Sequence, residues 1–295
     1  MKKKLIFICA VFLLCTGCKF GLQEIFWRAD PVDRRSKELV KLTGSELSFK
    51  AAIPSDLRYD CLLITDVHFG NDRYSVQQDA FFKSLQKYRD NHSAPSDPQI
   101  LFCIALGDIA DHGRAAEFDA YEAFQNRLRK IDIGGGKKLE VYNVAGNHDL
   151  YNSGWKLWEK ACFPHKSAYY FETKNFEWYF VDTANGTLGR PQFYDLKAKV
   201  KSSSKPKFIF THYPLYGNAI QYFSLSNPRE RAELISLCAQ NNVKMYCSGH
   251  YHRGAYYDYG RFKEFTLKAF GHHRKYYILH VDETAQTFSV ETVSF

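Results

Sequence analysis

Five short segments of this sequence carry aspartate, histidine or asparagine in combinations that suit metal chemistry. Carboxylate, amide and imidazole groups are the ligands that hard and borderline divalent cations prefer. Gathered into one crevice, these segments would supply more ligands than a single ion needs, so the sequence predicts a site for two divalent metals. The segments are Asp66-Val67-His68, Gly107-Asp108-Ile109-Ala110-Asp111, Gly146-Asn147-His148-Asp149, Thr211-His212 and Gly249-His250-Tyr251-His252.

Residue type predicts different roles within these segments. A carboxylate has two oxygens, so Asp108 is the natural ligand for two cations to share, and Gly107 before it allows a close approach to the backbone. Asn147 offers a neutral oxygen, which suits a site that already carries negative charge. His148 comes next in the chain and should point in another direction, which leaves it free for catalysis.

The elements that must position these segments are strands. Apolar runs at 61–64, 100–104 and 208–210 each end just before one of the segments and indicate buried strands. Open α/β sheets bind their ligands at the carboxyl ends of such strands. Helices are predicted at 75–89, 115–130 and 228–240. Aromatic and β-branched residues indicate later strands at 169–172, 177–182, 262–268, 276–281 and 287–293.

This order of elements predicts an α/β fold with two mixed β-sheets packed face to face and helices on the outside. The chain has 295 residues, of which 45% are hydrophobic and 16% aromatic, which describes a globular protein. Because the metal-binding segments are spread from residue 66 to residue 252, no half of the chain contains a complete site. We therefore expect one domain, over 56–295.

The N-terminus has the features of an export signal. Lys2 to Lys4 precede an apolar stretch at 5–15, which is too short to span a membrane. Thr16-Gly17-Cys18 follows and resembles a bacterial lipobox. We therefore predict a lipoprotein-type signal peptide at 1–17, an N-terminal tether with a short helix at 18–55, and a location in the bacterial cell envelope, anchored to the membrane by a lipid on Cys18. Ordinary secretion or an uncleaved anchor is the alternative.

Charge and cysteine content argue against a nucleic-acid-binding protein and against a disulfide-stabilised one. The net charge is +8, part of which comes from the three N-terminal lysines. Five cysteines follow Cys18, and an odd number in a chain of this length does not indicate a disulfide framework. The lysine-rich run at 197–207 indicates a solvated helix end and loop. We therefore expect no specific nucleic-acid partner.

The ordered set Asp-x-His, Gly-Asp, Gly-Asn-His-Asp, His and Gly-His-x-His resembles the calcineurin-like metallophosphoesterase superfamily. The resemblance covers residues from about 60 to 253 and implies the metallophosphoesterase fold. It implies two divalent transition metals, chosen among Mn, Fe, Zn and Ni, which share Asp108. One metal would bind Asp66, His68, Asp108 and His252, and the other would bind Asp108, Asn147, His212 and His250.

The resemblance also implies a mechanism, in which a water activated by both metals attacks a phosphate ester in line. His148 would act as general acid on the leaving oxygen, and Asp149 would orient its imidazole. Residues 107–113 are similar to the bacterial cyclic-nucleotide phosphodiesterase-like branch, which favours phosphodiester or nucleotide-type small molecules as substrates. A purple ferric centre is not expected, because Asp111 stands where that group has tyrosine.

The sequence leaves two alternative functions open. The protein could be an inactive metal-binding scaffold of the same fold, or a nuclease. The aromatic residues after His212 are candidate substrate contacts, although loop packing is the favoured explanation for them. They are Tyr213, Tyr216, Tyr222 and Phe223.

Overall fold

The computed structural model describes residues 31–71, 73 and 76–295. The predicted signal peptide at 1–17 and the predicted lipidation site at Cys18 lie outside the described residues. Within the described part of the chain, no helix combines the length and the apolar composition that a membrane crossing requires.

The smaller sheet has five strands in the order β12-β11-β2-β3-β4. β2, β3 and β4 are parallel, whereas β11 pairs antiparallel with both β2 and β12. Parallel strands are typically covered on both faces, which explains why the runs in β2 and β3 are almost continuously apolar. The strands are β2 (Arg58–Ile64), β3 (Ile100–Ala105), β4 (Glu140–Asn143), β11 (Lys275–Asp282) and β12 (Thr287–Ser294).

The larger sheet has seven strands in the order β1-β5-β6-β7-β8-β10-β9. β6, β7, β8 and β10 form a parallel series, and the antiparallel pairs β5 with β6 and β9 with β10 flank it. Both sheets are therefore mixed, as predicted. The strands are β1 (Val40–Lys41), β5 (Tyr169–Glu172), β6 (Glu177–Phe180), β7 (Lys207–Phe210), β8 (Val243–Ser248), β9 (Arg253–Asp258) and β10 (Lys263–Lys268).

Three predicted helices are present, at Gln78–Asn91, Ala115–Leu128 and Pro228–Gln240. The last begins where its sequence indicates, because the Asn227 side chain accepts hydrogen bonds from the amides of Arg229 and Glu230 and proline occupies the first turn. Further helices occur at Val32–Arg35, Trp155–Ala161, Arg190–Lys201 and Phe270–His273. Short 3₁₀ segments occur at Gly44–Ala52, His148–Ser153, Gly217–Ala219 and Gln221–Phe223.

The two sheets pack face to face through aromatic side chains. Phe102 of the smaller sheet lies against Trp178 of the larger one, with ring centroids 5.3 Å apart, and Tyr59 lies 6.4 Å from the same tryptophan. All three side chains are buried in one continuous core. The predicted fold class is confirmed.

Residues 32–52, which precede the domain predicted at 56–295, pack directly against it. Residues 32–52 were expected to belong to a tether, but β1 pairs with β5, and Phe49 is fully buried against Phe102 at a centroid distance of 4.4 Å. The guanidinium of Arg35 also forms a buried ion pair with Asp182 at 2.9 Å. This segment is part of the core because it closes one edge of the larger sheet and covers the end of the aromatic layer.

Candidate metal centre

The five segments meet at one edge of the molecule, where strands of both sheets end. β2 leads into Asp66 and His68, β3 into Asp108, and β7 and β8 into His212 and His250. Asn147 and His148 follow β4, and His252 directly precedes β9. The arrangement predicted from the sequence, with every segment at a strand end, is therefore what the structure has.

The backbone turns sharply at these strand ends. Asp66, His68, Asp108 and His250 have φ values of 51°, 53°, 51° and 66°, in the left-handed region that side chains other than glycine seldom adopt. Such conformations cost about 1–3 kcal/mol each and persist where the surrounding structure fixes them, which is common at functional sites. Here they direct consecutive polar side chains into the same crevice.

A first group of ligand atoms comes from Asp66, His68, Asp108 and His252, all within 4.8 Å of one another. Nε2 of His252 lies 3.3 Å from Oδ1 of Asp66, and Nε2 of His68 lies 3.8 Å from Oδ2 of Asp108. These four residues are the ones that the resemblance assigns to one metal.

A second group comes from Asp108, His212 and His250, within the same 4.8 Å limit. Nε2 of His212 lies 3.3 Å from Oδ2 of Asp108 and 3.2 Å from Oδ1 of Asn147. The amide oxygen of Asn147 therefore points at the same space. Asp108 belongs to both groups, and its other oxygen, Oδ1, accepts a hydrogen bond from the amide of His148 at 2.8 Å.

The arrangement of the donor atoms suits bound cations better than it suits hydrogen bonds among the donor atoms themselves. Nε2 of His68 faces Nε2 of His252 at 3.2 Å, and two neutral imidazole lone pairs at this distance repel unless a proton or a cation lies between them. Nε2 of His250 is buried and has no hydrogen-bond partner among the described residues. Burying a polar atom without a partner costs free energy unless a ligand binds to it. The mixed oxygen and nitrogen donors suit borderline divalent metals.

Neighbouring groups hold the ligands in orientation. Oδ1 of Asp111 lies 2.9 Å from Nδ1 of His68, and the Leu106 carbonyl lies 2.7 Å from Nδ1 of His212, so both rings turn Nε2 toward the centre. Oδ2 of Asp66 accepts a hydrogen bond from the hydroxyl of Thr65 at 2.8 Å. Contacts of this type fix the tautomer and direction of metal-binding imidazoles.

Two glycines in the segments are required by close packing. A Cβ atom on Gly146 would overlap the backbone nitrogen and carboxylate of Asp108, and one on Gly249 would overlap Oγ1 of Thr65 and lie 2.7 Å from Oδ2 of Asp66. Each glycine therefore allows two segments to touch at the point where their ligands converge.

The structure corrects the role predicted for Asp149. Its Oδ1 accepts hydrogen bonds from the amides of Ile109 and Ala110, and its Oδ2 accepts one from the amide of Gly146, each at 2.9 Å. The carboxylate is thus turned into the backbone and holds two segments together. Nδ1 of His148 instead lies 2.7 Å from the backbone oxygen of Asp111. The adjacent position of Asp149 in the sequence was misleading, because the turn after β4 sends neighbouring side chains in opposite directions.

Burial and neighbouring charges shift the pKa values of three groups in the crevice. Burial opposes ionisation of Asp108, but the imidazoles of His212 and His148 outweigh it and hold the pKa of Asp108 well below its usual value. Burial likewise opposes protonation of His212, yet the Asp108 carboxylate raises the pKa of His212 to about 9. Burial and the neighbouring His212 lower the pKa of His250 to about 3, which keeps this ring neutral and able to coordinate.

The roles of Asp111 and of the Leu106 carbonyl were not predicted from the sequence. Asp111 belongs to one of the five segments but was assigned no ligand to orient, and the structure places its carboxylate beside His68 and His148. The Leu106 carbonyl has no sequence signal, because a backbone group carries no residue type. Tyr213, which the sequence indicated as a candidate substrate contact, stacks on the ring of His250 at a centroid distance of 3.8 Å. All five cysteines among the described residues are free and buried.

Comparison with known proteins identifies the group to which this architecture belongs. A protein from Fibrobacter succinogenes described as a probable cyclic nucleotide phosphodiesterase is 26% identical over 194 residues, which cover 64% of this chain and 71% of the relative. This relative carries the name of the branch that the motifs resembled.

Two solved structures share the fold. A dimetal phosphatase from Danio rerio has a TM-score of 0.56 at 15% identity and covers 80% of this chain and 99% of its own. The GAP50 anchor in the inner membrane complex of Plasmodium has a TM-score of 0.57 at 15% identity and covers 80% of this chain and 84% of its own. Residues 60–254, which contain every segment described above, match the family described as calcineurin-like phosphoesterase. The chain belongs to the calcineurin-like phosphoesterase family.

Proposed function

We propose that this protein is a two-metal phosphoesterase that hydrolyses small phosphate esters, with phosphodiesters or nucleotide-type molecules preferred. The observation that carries the proposal is the sharing of Asp108 between two groups of ligand atoms. A carboxylate with one oxygen in reach of both His68 and His212 is placed to bridge two cations. Asp66 and His252 would complete one site, and Asn147 and His250 would complete the other.

Two cations bound here would neutralise the oxygens of the phosphate and make a water nucleophile more acidic. The remaining task, which is proton delivery to the leaving oxygen, falls to a side chain of the protein. His148 suits it, because 30% of its side chain is exposed whereas Asp108 and His212 are almost fully buried. A substrate can therefore reach His148 directly.

The orientation of His148 supports this role. A carbonyl oxygen can only accept, so Nδ1 of His148 must donate to the Asp111 carbonyl. Nε2 is then the atom that gains and loses the catalytic proton. Asp149 contributes by fixing the turn from which His148 projects, because its carboxylate accepts hydrogen bonds from the amides of Ile109 and Gly146.

The preferred substrate class follows the name of the Fibrobacter relative, which is described as a probable cyclic nucleotide phosphodiesterase. Purified protein reloaded separately with Mn²⁺, Fe²⁺, Zn²⁺ and Ni²⁺ should hydrolyse phosphodiesters faster than matched monoesters and pyrophosphates. Absence of turnover with every metal and every ester, in protein that binds metal, would favour the inactive scaffold and contradict the proposal. Turnover confined to polynucleotides would favour a nuclease.

We further propose that the protein is exported and anchored by a lipid on Cys18. Three features of the sequence support the export signal and the anchor. They are the basic N-terminus, the short apolar stretch and Thr16-Gly17-Cys18. Cys18→Ala should block processing or release the protein from the membrane fraction of a bacterial host. An unchanged mass and an unchanged membrane fraction in this variant would contradict the lipid anchor.

A further inference from the structure

The loop that follows His212 has a firmly fixed base. It covers residues 213–225, and we call it the aromatic loop. The amide of Leu225 donates to the carbonyl of Pro214 at 3.0 Å, which closes the loop on itself. Oε1 of the buried Glu264 accepts hydrogen bonds from the amides of Leu215 at 2.7 Å and Tyr216 at 3.1 Å. These contacts hold the loop beside the candidate metal centre.

The tip of the aromatic loop combines backbone strain with exposed apolar surface. Asn218 and Ala219 have successive positive φ values of 51° and 61°. Beyond them, Ile220 is 44% exposed and Tyr222 is 81% exposed. Both features cost free energy in the isolated protein, and strained segments that present apolar side chains are characteristic of ligand-binding sites.

A row of rings connects this tip to the centre. Tyr213 stacks on His250, and the ring centroid of Phe223 lies 6.0 Å from that of His250. Phe223 also packs on Tyr251 at 5.0 Å and contacts Tyr222 at 5.2 Å. The row therefore starts at a candidate metal ligand and ends in solvent, so a group attached to a phosphate in the centre can extend along it.

We propose that the aromatic loop is a subsite for a planar aromatic group carried by the alcohol that is esterified to the substrate phosphate, such as the nucleobase of a nucleotide, and that this group stacks on Phe223 and Tyr222. This inference rests on the proposed function, because the phosphate must occupy the metal centre. A planar group is favoured because stacking on aromatic side chains recognises the flat face that all nucleobases share. A lipid surface would also contact exposed rings, but it would not explain why the row continues inward to His250.

The test compares two ligands that differ only in the base. They are the phosphonate analogues of uridine 5′-phosphate and of ribose 5-phosphate, whose carbon–phosphorus bond resists hydrolysis. Titration calorimetry with Mn²⁺-loaded protein should show that the base-containing analogue binds about tenfold more tightly. Tyr222→Ala should remove most of this preference, and Phe223→Leu, which keeps the apolar volume, should also reduce it.

Tyr194→Ala is the matched control. Tyr194 is 64% exposed but lies on the helix Arg190–Lys201, outside the aromatic loop, so this variant should retain the preference. The proposed subsite is contradicted if the wild-type protein binds the two analogues equally. It is also contradicted if Tyr222→Ala keeps the preference for the base-containing analogue as Tyr194→Ala does.

Two further measurements separate this inference from its alternatives. Turnover of bis(p-nitrophenyl) phosphate by wild-type protein is measured independently. Its absence would contradict the proposed function, while the phosphonate preference would still decide whether the subsite exists. Binding to vesicles of phosphatidylcholine and phosphatidylglycerol tests the lipid surface. Loss of vesicle binding in Tyr222→Ala, with the base preference intact, would assign the loop to a membrane and overturn the inference.

Discussion

Nδ1 of His148 lies 2.7 Å from the backbone oxygen of Asp111, which belongs to the neighbouring segment, after β3. This contact fixes the ring of His148 relative to Asp108, because the amide of His148 also donates to Oδ1 of Asp108. The candidate acid and the candidate bridging ligand are therefore held as one unit.

Asp108→Ala should lose metal. The substitution removes the oxygen shared by both ligand groups and would leave two cations without the negative charge between them. Wild-type protein should retain about two transition-metal ions per chain after reloading and desalting, whereas the variant should retain less than half of that amount. Elemental analysis, with circular dichroism to confirm folding, provides the measurement. Equal metal content in the two proteins would show that Asp108 does not bridge.

Asp149→Ala should destabilise the fold. The amides of Ile109, Ala110 and Gly146 would lose their acceptor in a buried environment. Leaving buried donors unpaired costs about 1–3 kcal/mol, measured as the change in the free energy of unfolding by urea. If Asp149 oriented the His148 ring instead, the variant would show a selective loss of turnover on poor leaving groups with unchanged stability.

The fold class and the segments that lie together could be predicted because both depend on local signals. The apolar runs before Asp66, Asp108 and His212 are visible in the chain. The first two form β2 and β3, which pair in parallel in the smaller sheet, and the third forms β7, which pairs in parallel with β8 in the larger sheet. The contact of residues 32–52 with the sheets could not be predicted, because β1 has only two residues and depends on its pairing with β5.

The partner of His148 could not be predicted for a similar reason. Asp149 is its neighbour in sequence, but the choice between Asp149 and the carbonyl of Asp111 depends on the path of the turn after β4. Contacts to backbone atoms leave no residue type to recognise, so they become visible only in the folded chain.

Arg35→Met should test whether the segment before β1 belongs to the core. The ion pair of Arg35 with Asp182 is almost fully buried, with side-chain exposures of 1% and 0%. Removing one partner of a buried pair costs about 3–5 kcal/mol, because the other charge stays buried and loses its partner.

Arg58→Met is the control for this prediction. Arg58 pairs with Asp56 at the surface, with side-chain exposures of 45% and 48%, so its loss should change the free energy of unfolding by less than about 1 kcal/mol. Similar effects of the two substitutions would show that residues 32–52 contribute little to the fold.

Glu264→Gln should change the dependence of stability on pH. Burial raises the pKa of Glu264 to about 7, and the amides of Tyr216 and Leu215 counteract this only in part. In the unfolded chain the carboxyl group has its ordinary pKa of 4.5. Between these two values the folded protein binds the proton more tightly, so the wild-type protein loses stability as the pH rises.

The loss in wild-type protein should reach up to about 3 kcal/mol between about pH 5 and about pH 8, and it should be absent in Glu264→Gln. Urea denaturation of both proteins at each pH measures this loss. The contributions of all other titratable groups cancel when the free energies of unfolding of the two proteins are subtracted. Parallel pH profiles for the two proteins would show that Glu264 is ionised in the folded state throughout this range.

We propose that Asp108 and its neighbours hold the metals while His148 supplies the proton, and the substitution His148→Ala is the sharpest test of this assignment. The variant should keep both metals and lose about 10²–10⁴-fold in turnover on alkyl phosphodiesters, since this is the usual contribution of general acid catalysis. The loss should shrink for p-nitrophenyl esters, whose leaving group needs little protonation. Metal content and turnover on both classes of ester are measured on the same preparation. Loss of metal in His148→Ala, or equal impairment on good and poor leaving groups, would contradict the assignment.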